Sequence, residues 1–243
     1  MNRRTVLATV AGSSLVASTH ALHGQAAPGR GGATPASRSA RQATPAAAHD
    51  NLDPARTALL VMDYQTAWLE TLTTWDTDAL LARMAGVIAL ARERQVPVAS
   101  TWVAFTEADY AAVPDRNVIF RQLASIPHGL DEDAPRVAID ARVAPEPGDK
   151  VVRKTRVSAF QRTDLDAWLR GMGIDTLILA GISTSGVVLS TVCDGADLDY
   201  RLLVVADACA DTDPAIQDVL IGKVFPQRAA VVSAADLPGL LGG

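Results

Sequence analysis

From Arg56 onward the chain is punctuated by short runs of consecutive apolar residues at 57–62, 96–101, 150–153, 176–180, 201–206 and 229–233. They are continuous rather than alternating, the pattern of strands covered on both faces in a parallel sheet. Segments of helical period lie between them. In 78–95, Leu80, Leu81, Met84, Val87, Ile88 and Ala91 fall on one stripe, with Asp78 placed to cap the helix start. The segment 163–172 opens on Thr163 with Asp166 three residues on, close to a capping box. Segments 186–197 and 214–224 complete the set. The alternation predicts one α/β domain over residues 55–243: a three-layer αβα, Rossmann-like arrangement with a mostly parallel six-stranded sheet and right-handed crossovers. The stretch 103–149 breaks the pattern and reads as loop with a short helix near 118–123, and long loops in compact domains are usually covers or binding segments.

The start of the chain follows other rules. Residues 1–26 combine a basic start with a short apolar run broken by Gly and Ser, which reads as an export signal and not as a spanning helix. Arg3-Arg4 followed by Thr5, Val6 and Leu7 resembles a twin-arginine address, with a general secretory signal as the alternative, and cleavage fits after Ala21 or Ala26. Residues 27–54 are rich in Ala, Pro, Gly, Ser and Arg and read as a disordered linker. The expected location is therefore periplasmic or secreted.

Charge and inventory then narrow the chemistry. Residues 1–49 hold five of the 22 basic residues and no acid, which leaves 17 bases against 27 acids in the remainder. So acidic a domain argues against nucleic acid or an anionic membrane as partner. His20, His23 and His49 precede the domain, so only His128 falls within it. A histidine triad or a multi-histidine zinc site is excluded on that count. Two cysteines, Cys193 and Cys209, make no disulfide framework.

In doubly wound folds the site lies at the carboxyl ends of the strands. Three of those ends carry chemistry: Asp63 in LLVMDYQ, Lys154 in VVRKTRVSAF, and the turn AGISTSGVV that opens the helix after 176–180. A carboxylate, an ammonium and a set of helix-opening N–H groups could converge on one pocket edge. Together LLVMDYQ, VVRKTRVSAFQRTDLDAWLR and LILAGISTSGVVLSTVCDGADLDYRLLVVADACAD closely resemble the isochorismatase-like hydrolase superfamily, also called cysteine hydrolases, over the span from Arg56 to the C-terminus.

The resemblance implies that Asp63 and Lys154 form an acid/base pair, and that Val187 stands where the family has its nucleophilic cysteine. It also implies a cis peptide at Ile182–Ser183 and an oxyanion site made by the N–H groups of Ser183 and Val187. Cys193 cannot substitute for the missing thiol, since six residues on a helix place it about 9 Å along the axis and about 120° around it. Cys209 reads as a core or loop residue. Enzymes of the family that open the vinyl ether of isochorismate also lack the cysteine and protonate their substrate instead. The turn here differs from theirs, so isochorismate is not assigned. Gln65, Phe160, Thr184 and Asn117 are the candidate substrate contacts, with Tyr64, Trp68 and Arg116 as further pocket candidates.

The resulting expectation is a hydrolase that cleaves a C–O or C–N bond of a small organic substrate with Asp63 and Lys154 and without a covalent thioester. It needs no cofactor and no metal, and the family makes a homo-oligomer possible. The alternatives are an amidase-type relative with water activated by Asp63, and a catalytically silent small-molecule-binding homologue.

Overall fold

A computed structural model of the chain describes residues 51–127 and 129–242. The expected export signal and most of the expected linker lie outside the described residues. Residues 51–54, expected to end the linker, instead belong to the domain. Leu52 is buried in the core and its N–H donates to the carbonyl of Leu240 at 2.7 Å, while Asp53 caps a short 3-10 turn at Pro54–Arg56.

Six strands form one sheet: β1 (Thr57–Met62), β2 (Val98–Val103), β3 (Lys150–Lys154), β4 (Thr176–Gly181), β5 (Arg201–Val205) and β6 (Ala230–Val232). Their order is β3-β2-β1-β4-β5-β6 and every pairing is parallel. The expected α/β architecture is therefore present, with a wholly parallel sheet. Every residue of β1 and β4 is buried, as their unbroken apolar runs require. Beginning from β1 the chain winds outward to β3, then returns to β4 and winds the other way. This reversal of winding leaves a crevice beyond the ends of β1 and β4.

The helices are α1 (Thr66–Leu69), α2 (Thr77–Glu93), α3 (Glu107–Ala111), α4 (Val118–Ala124), α5 (Leu165–Gly171), α6 (Leu189–Asp197), α7 (Pro214–Val219) and α8 (Leu237–Leu240). The stripe foreseen on α2 is its buried face. Its cap differs from the expectation: Asp76 accepts from Ala79 N–H at 2.9 Å, while Asp78 lies in the first turn and pairs with Arg142 at 2.7 Å. Two aspartates two residues apart offer the same composition, and the backbone turn selects the earlier. Thr163 likewise does not open α5. Its hydroxyl donates to the carbonyl of Ala159 at 2.7 Å, and Asp164 takes the cap position.

The stretch 103–149 holds more structure than expected. It contains α3, α4 and 3-10 turns at Pro135–Val137 and Ala141–Val143, and it builds a second apolar cluster of Val103, Phe105, Val113, Phe120 and Leu130. Phe105 stacks on Phe120 with ring centroids 5.9 Å apart. This small core holds the segment against the carboxyl ends of β1 to β3.

The junction of β1 and β4 tolerates no side chain at Gly181. A Cβ there would sit 2.8 Å from both Cβ and the carbonyl oxygen of Met62 and 3.2 Å from Val187 Cγ1. Gly181→Ala is therefore expected to cost about 1–3 kcal/mol through overpacking, measured as a lowered urea midpoint. Gly86 in α2 faces open space. There Gly86→Ala should raise stability by roughly 0.5–1 kcal/mol.

Candidate active site

Asp63 follows the last residue of β1, where the chain must leave the sheet, and it does so in the left-handed region with φ 60°. Aspartate tolerates that conformation better than most residues, and such positions concentrate at functional sites. Its N–H is held by the carbonyl of Thr101 at 3.1 Å. The backbone thus aims the carboxylate across the end of β2 towards β3. Oδ1 accepts from the hydroxyl of Thr101 at 2.8 Å, and Oδ2 meets Lys154 Nζ at 2.7 Å. The ammonium also donates to the carbonyls of Arg156 at 3.1 Å and Val157 at 2.8 Å, so all three of its protons are used.

Both charges are buried, with side-chain exposure of 0% for Lys154 and 5% for Asp63. Burial pushes the Asp63 carboxyl above its ordinary value, and the neighbouring cation and the Thr101 hydroxyl offset only part of that. Burial likewise lowers the Lys154 ammonium, against the pull of Asp63.

Across from the pair, β4 ends at Gly181 and the chain passes through a cis peptide at Ile182–Ser183. A π-helical turn, Thr184–Val188, then leads directly into α6. Such turns are rare and often sit at functional sites. The carbonyl of Ser183 accepts from the N–H groups of Gly186 at 3.2 Å and Val188 at 3.3 Å, on either side of Val187 in sequence. The turn is fastened to the segment following β5 as well: Thr184 N–H donates to Ala210 O at 2.9 Å, and Ser185 N–H donates to Asp211 Oδ2 at 2.6 Å.

Asp63, Lys154 and the turn face one cavity of about 670 Å³. Its wall is formed by Trp68, Val103, Val157, Ile182 and Val187, and one side is closed by Ile119, Phe120 and Leu123 of α4 with Ile126 just beyond it. Of the predicted site residues, the cavity brings together Asp63, Lys154, Ser183 and Val187. The other four do not line it. Gln65 is wholly buried: its amide donates to the carbonyls of Val103 and Val137 at 2.9 and 2.6 Å, and its oxygen accepts from Val103 N–H at 2.8 Å. Phe160 stacks on Tyr200 in the main core, with centroids 5.7 Å apart. Thr184 is buried beneath the turn, and Asn117 caps α4 by accepting from Phe120 N–H at 3.2 Å. Among the further candidates Trp68 lines the cavity, whereas Tyr64 and Arg116 do not.

The chain reading missed Thr101, Asp211 and the inner face of α4. The last was legible, because Ile119, Leu123 and Ile126 recur at helical spacing. Neither cysteine lines the cavity; Cys209 is buried in the core, and burial pushes its thiol up to about 12. Among the described residues no group of three or more His, Cys, Asp or Glu could hold a metal ion, and no helix is long and apolar enough to cross a membrane.

Comparison with known proteins gives this site its relatives. The isochorismatase domain model matches residues 57–236. The chain belongs to the isochorismatase family. Over 181 residues it is 33% identical to a ureidoacrylate amidohydrolase of Methylobacterium radiotolerans, covering 67% of this chain and 70% of that one. A maleamate amidohydrolase of Pseudomonas putida is 33% identical over 56% of this chain and 63% of its own length. Among solved structures, an isochorismatase family protein from Burkholderia thailandensis superposes with a TM-score of 0.67 at 26% identity, over 80% of this chain and 99% of that one. A cysteine hydrolase from Pseudomonas syringae pv. phaseolicola shares the isochorismatase-like fold with a TM-score of 0.70 at 24% identity, over 78% and 94%. In this member of the family the buried ion pair faces Val187.

Removing one partner of that pair leaves an uncompensated buried charge. Lys154→Met is expected to cost about 3–5 kcal/mol in chemical denaturation, and adding Asp63→Asn in the same chain should recover much of the loss.

Proposed function

We propose that the chain is a hydrolase acting on a C–N bond of a small molecule, using Asp63 and Lys154 and no covalent thioester. One observation carries this reading: the cavity floor holds a buried carboxylate–ammonium pair at 2.7 Å, and position 187 on the facing turn is valine. Amidohydrolase names among the relatives support the choice of bond.

In this reading Asp63 accepts a proton from a water that attacks the substrate carbonyl carbon. Each carboxylate oxygen has a fixed partner in Thr101 or Lys154, and each keeps a lone pair for the water. The N–H groups of Ser183 and Val187 receive the charge that develops on the carbonyl oxygen. When the intermediate collapses, the C–N bond breaks and Asp63 returns its proton to the departing nitrogen. Lys154 fixes the carboxylate in place and balances its charge. The N-terminal residues 1–26 support a periplasmic or secreted location for this activity.

A second reading, C–O cleavage of an enol ether begun by proton donation from Asp63, is favoured by the burial that raises its carboxyl. The pH profile separates the two. If Asp63 acts as base, kcat/KM rises with pH through a midpoint above the ordinary carboxylate range. If it acts as acid, activity falls as pH rises through that midpoint.

The test is a panel of amides, ureido compounds, esters and enol ethers assayed with the wild type and Asp63→Asn. Amide hydrolysis is expected from the wild type, with kcat/KM about 10²–10⁴-fold lower in the variant. Turnover unaffected by Asp63→Asn would overturn the mechanism. Ligand binding without any turnover would leave a silent binding homologue. Val187→Cys places a thiol on the turn and should add a stoichiometric burst with ester substrates.

A further inference from the structure

The charged groups of this cavity are already occupied from within. Lys154 and Asp63 are the charged residues among its described lining, and they neutralise each other. Lys154 has no proton left over, because two backbone carbonyls take those that Asp63 does not. Ser185, whose N–H opens the π-turn into α6, points that donor at the buried carboxylate of Asp211. That N–H of the helix start is therefore met by an internal anion and not offered to the cavity. Arg156 lies over the ring of Phe120, 5.1 Å from its centroid, and does not line the cavity.

The remaining wall is largely apolar. Ile119 on α4 and Ile126 just after it line the cavity yet stay 56% and 44% exposed to solvent. They form an apolar rim that a bound hydrocarbon group would cover.

From these three features we propose that the site selects an uncharged substrate, an amide or ester whose acyl or amine side carries an aryl or branched alkyl group, and that it rejects carboxylates. A carboxylate entering here would lose its hydration with no cation free to meet it, and it would approach Asp63 and Asp211. An apolar group would instead cover Ile119 and Ile126 and remove their surface from water. Asp211 is a specificity residue in this scheme, acting through the turn that it holds. The proposal rests on the hydrolase reading of the same cavity and narrows what that hydrolase takes.

The test is calorimetric binding of a matched pair, 3-phenylpropanamide and 3-phenylpropanoate, with acetamide as the short control. The amide is expected to bind at least about ten-fold tighter than the carboxylate, and acetamide more weakly than the aryl amide. Asp211→Asn keeps an acceptor for Ser185 N–H and removes the charge, so it should narrow the gap by improving carboxylate binding. Ile126→Lys, on the exposed rim, puts an ammonium at the mouth without disturbing the core. It should improve the carboxylate several-fold and weaken the amide. Equal or tighter binding of the carboxylate by the wild type, no binding of the aryl amide, or an unchanged ratio in Ile126→Lys would each overturn the proposal. Binding separates this proposal from the reading beneath it. Asp63-dependent hydrolysis together with a preference for carboxylates would sink only the substrate class, while tight amide binding without hydrolysis would sink only the mechanism.

Discussion

The ion pair between Asp63 and Lys154 is the constraint around which the functional end of this molecule is arranged. Neither charge is stable in the interior alone, and their mutual attraction covers only part of the desolvation cost. The neighbouring structure supplies the rest. Thr101 at the end of β2 donates to the carboxylate, and the carbonyls of Arg156 and Val157 beyond β3 receive the remaining ammonium protons. Three adjacent strands thus have to end at matched heights. The registers Met62 opposite Thr101, and Val103 opposite Lys154, meet that condition.

The same winding that creates the pair creates its partner surface. Because the chain reverses direction between β1 and β4, the connection leaving β4 has room to turn beside Asp63 instead of being covered by the next crossover. Gly181 lets β4 approach Met62, and the segment following β5 fastens the turn through Ala210 and Asp211. The turn is held at several points with valine at position 187.

How much of this could be read in advance depended on where each signal resides. Strands buried on both faces announce themselves as unbroken apolar runs, and a residue following such a run must lie at a strand end. Asp63, Lys154 and the 181–187 turn were legible for that reason. Gln65 and Phe160 were misplaced because a strand-end polar or aromatic residue has two destinations, cavity or core, and the choice is made by segments far away in sequence. Gln65 is claimed by Val103 and Val137, and Phe160 by Tyr200. Asn117 and Thr184 sit beside lining residues yet turn their side chains to capping and packing. Thr101 escaped notice because a hydroxyl in a strand carries no local mark of function. The stretch 103–149 read as loop since its small core is assembled from five residues scattered along it.

Chemistry on the buried pair without a covalent step on the turn leaves no adduct on the protein during turnover. The most direct measurement is rapid-quench kinetics of the wild-type chain with its first hydrolysed substrate, with the intact protein mass recorded during turnover. Product formation is expected to be linear from the first turnover, with the protein mass unchanged throughout. A burst of about one equivalent together with an acyl adduct on the protein would contradict it.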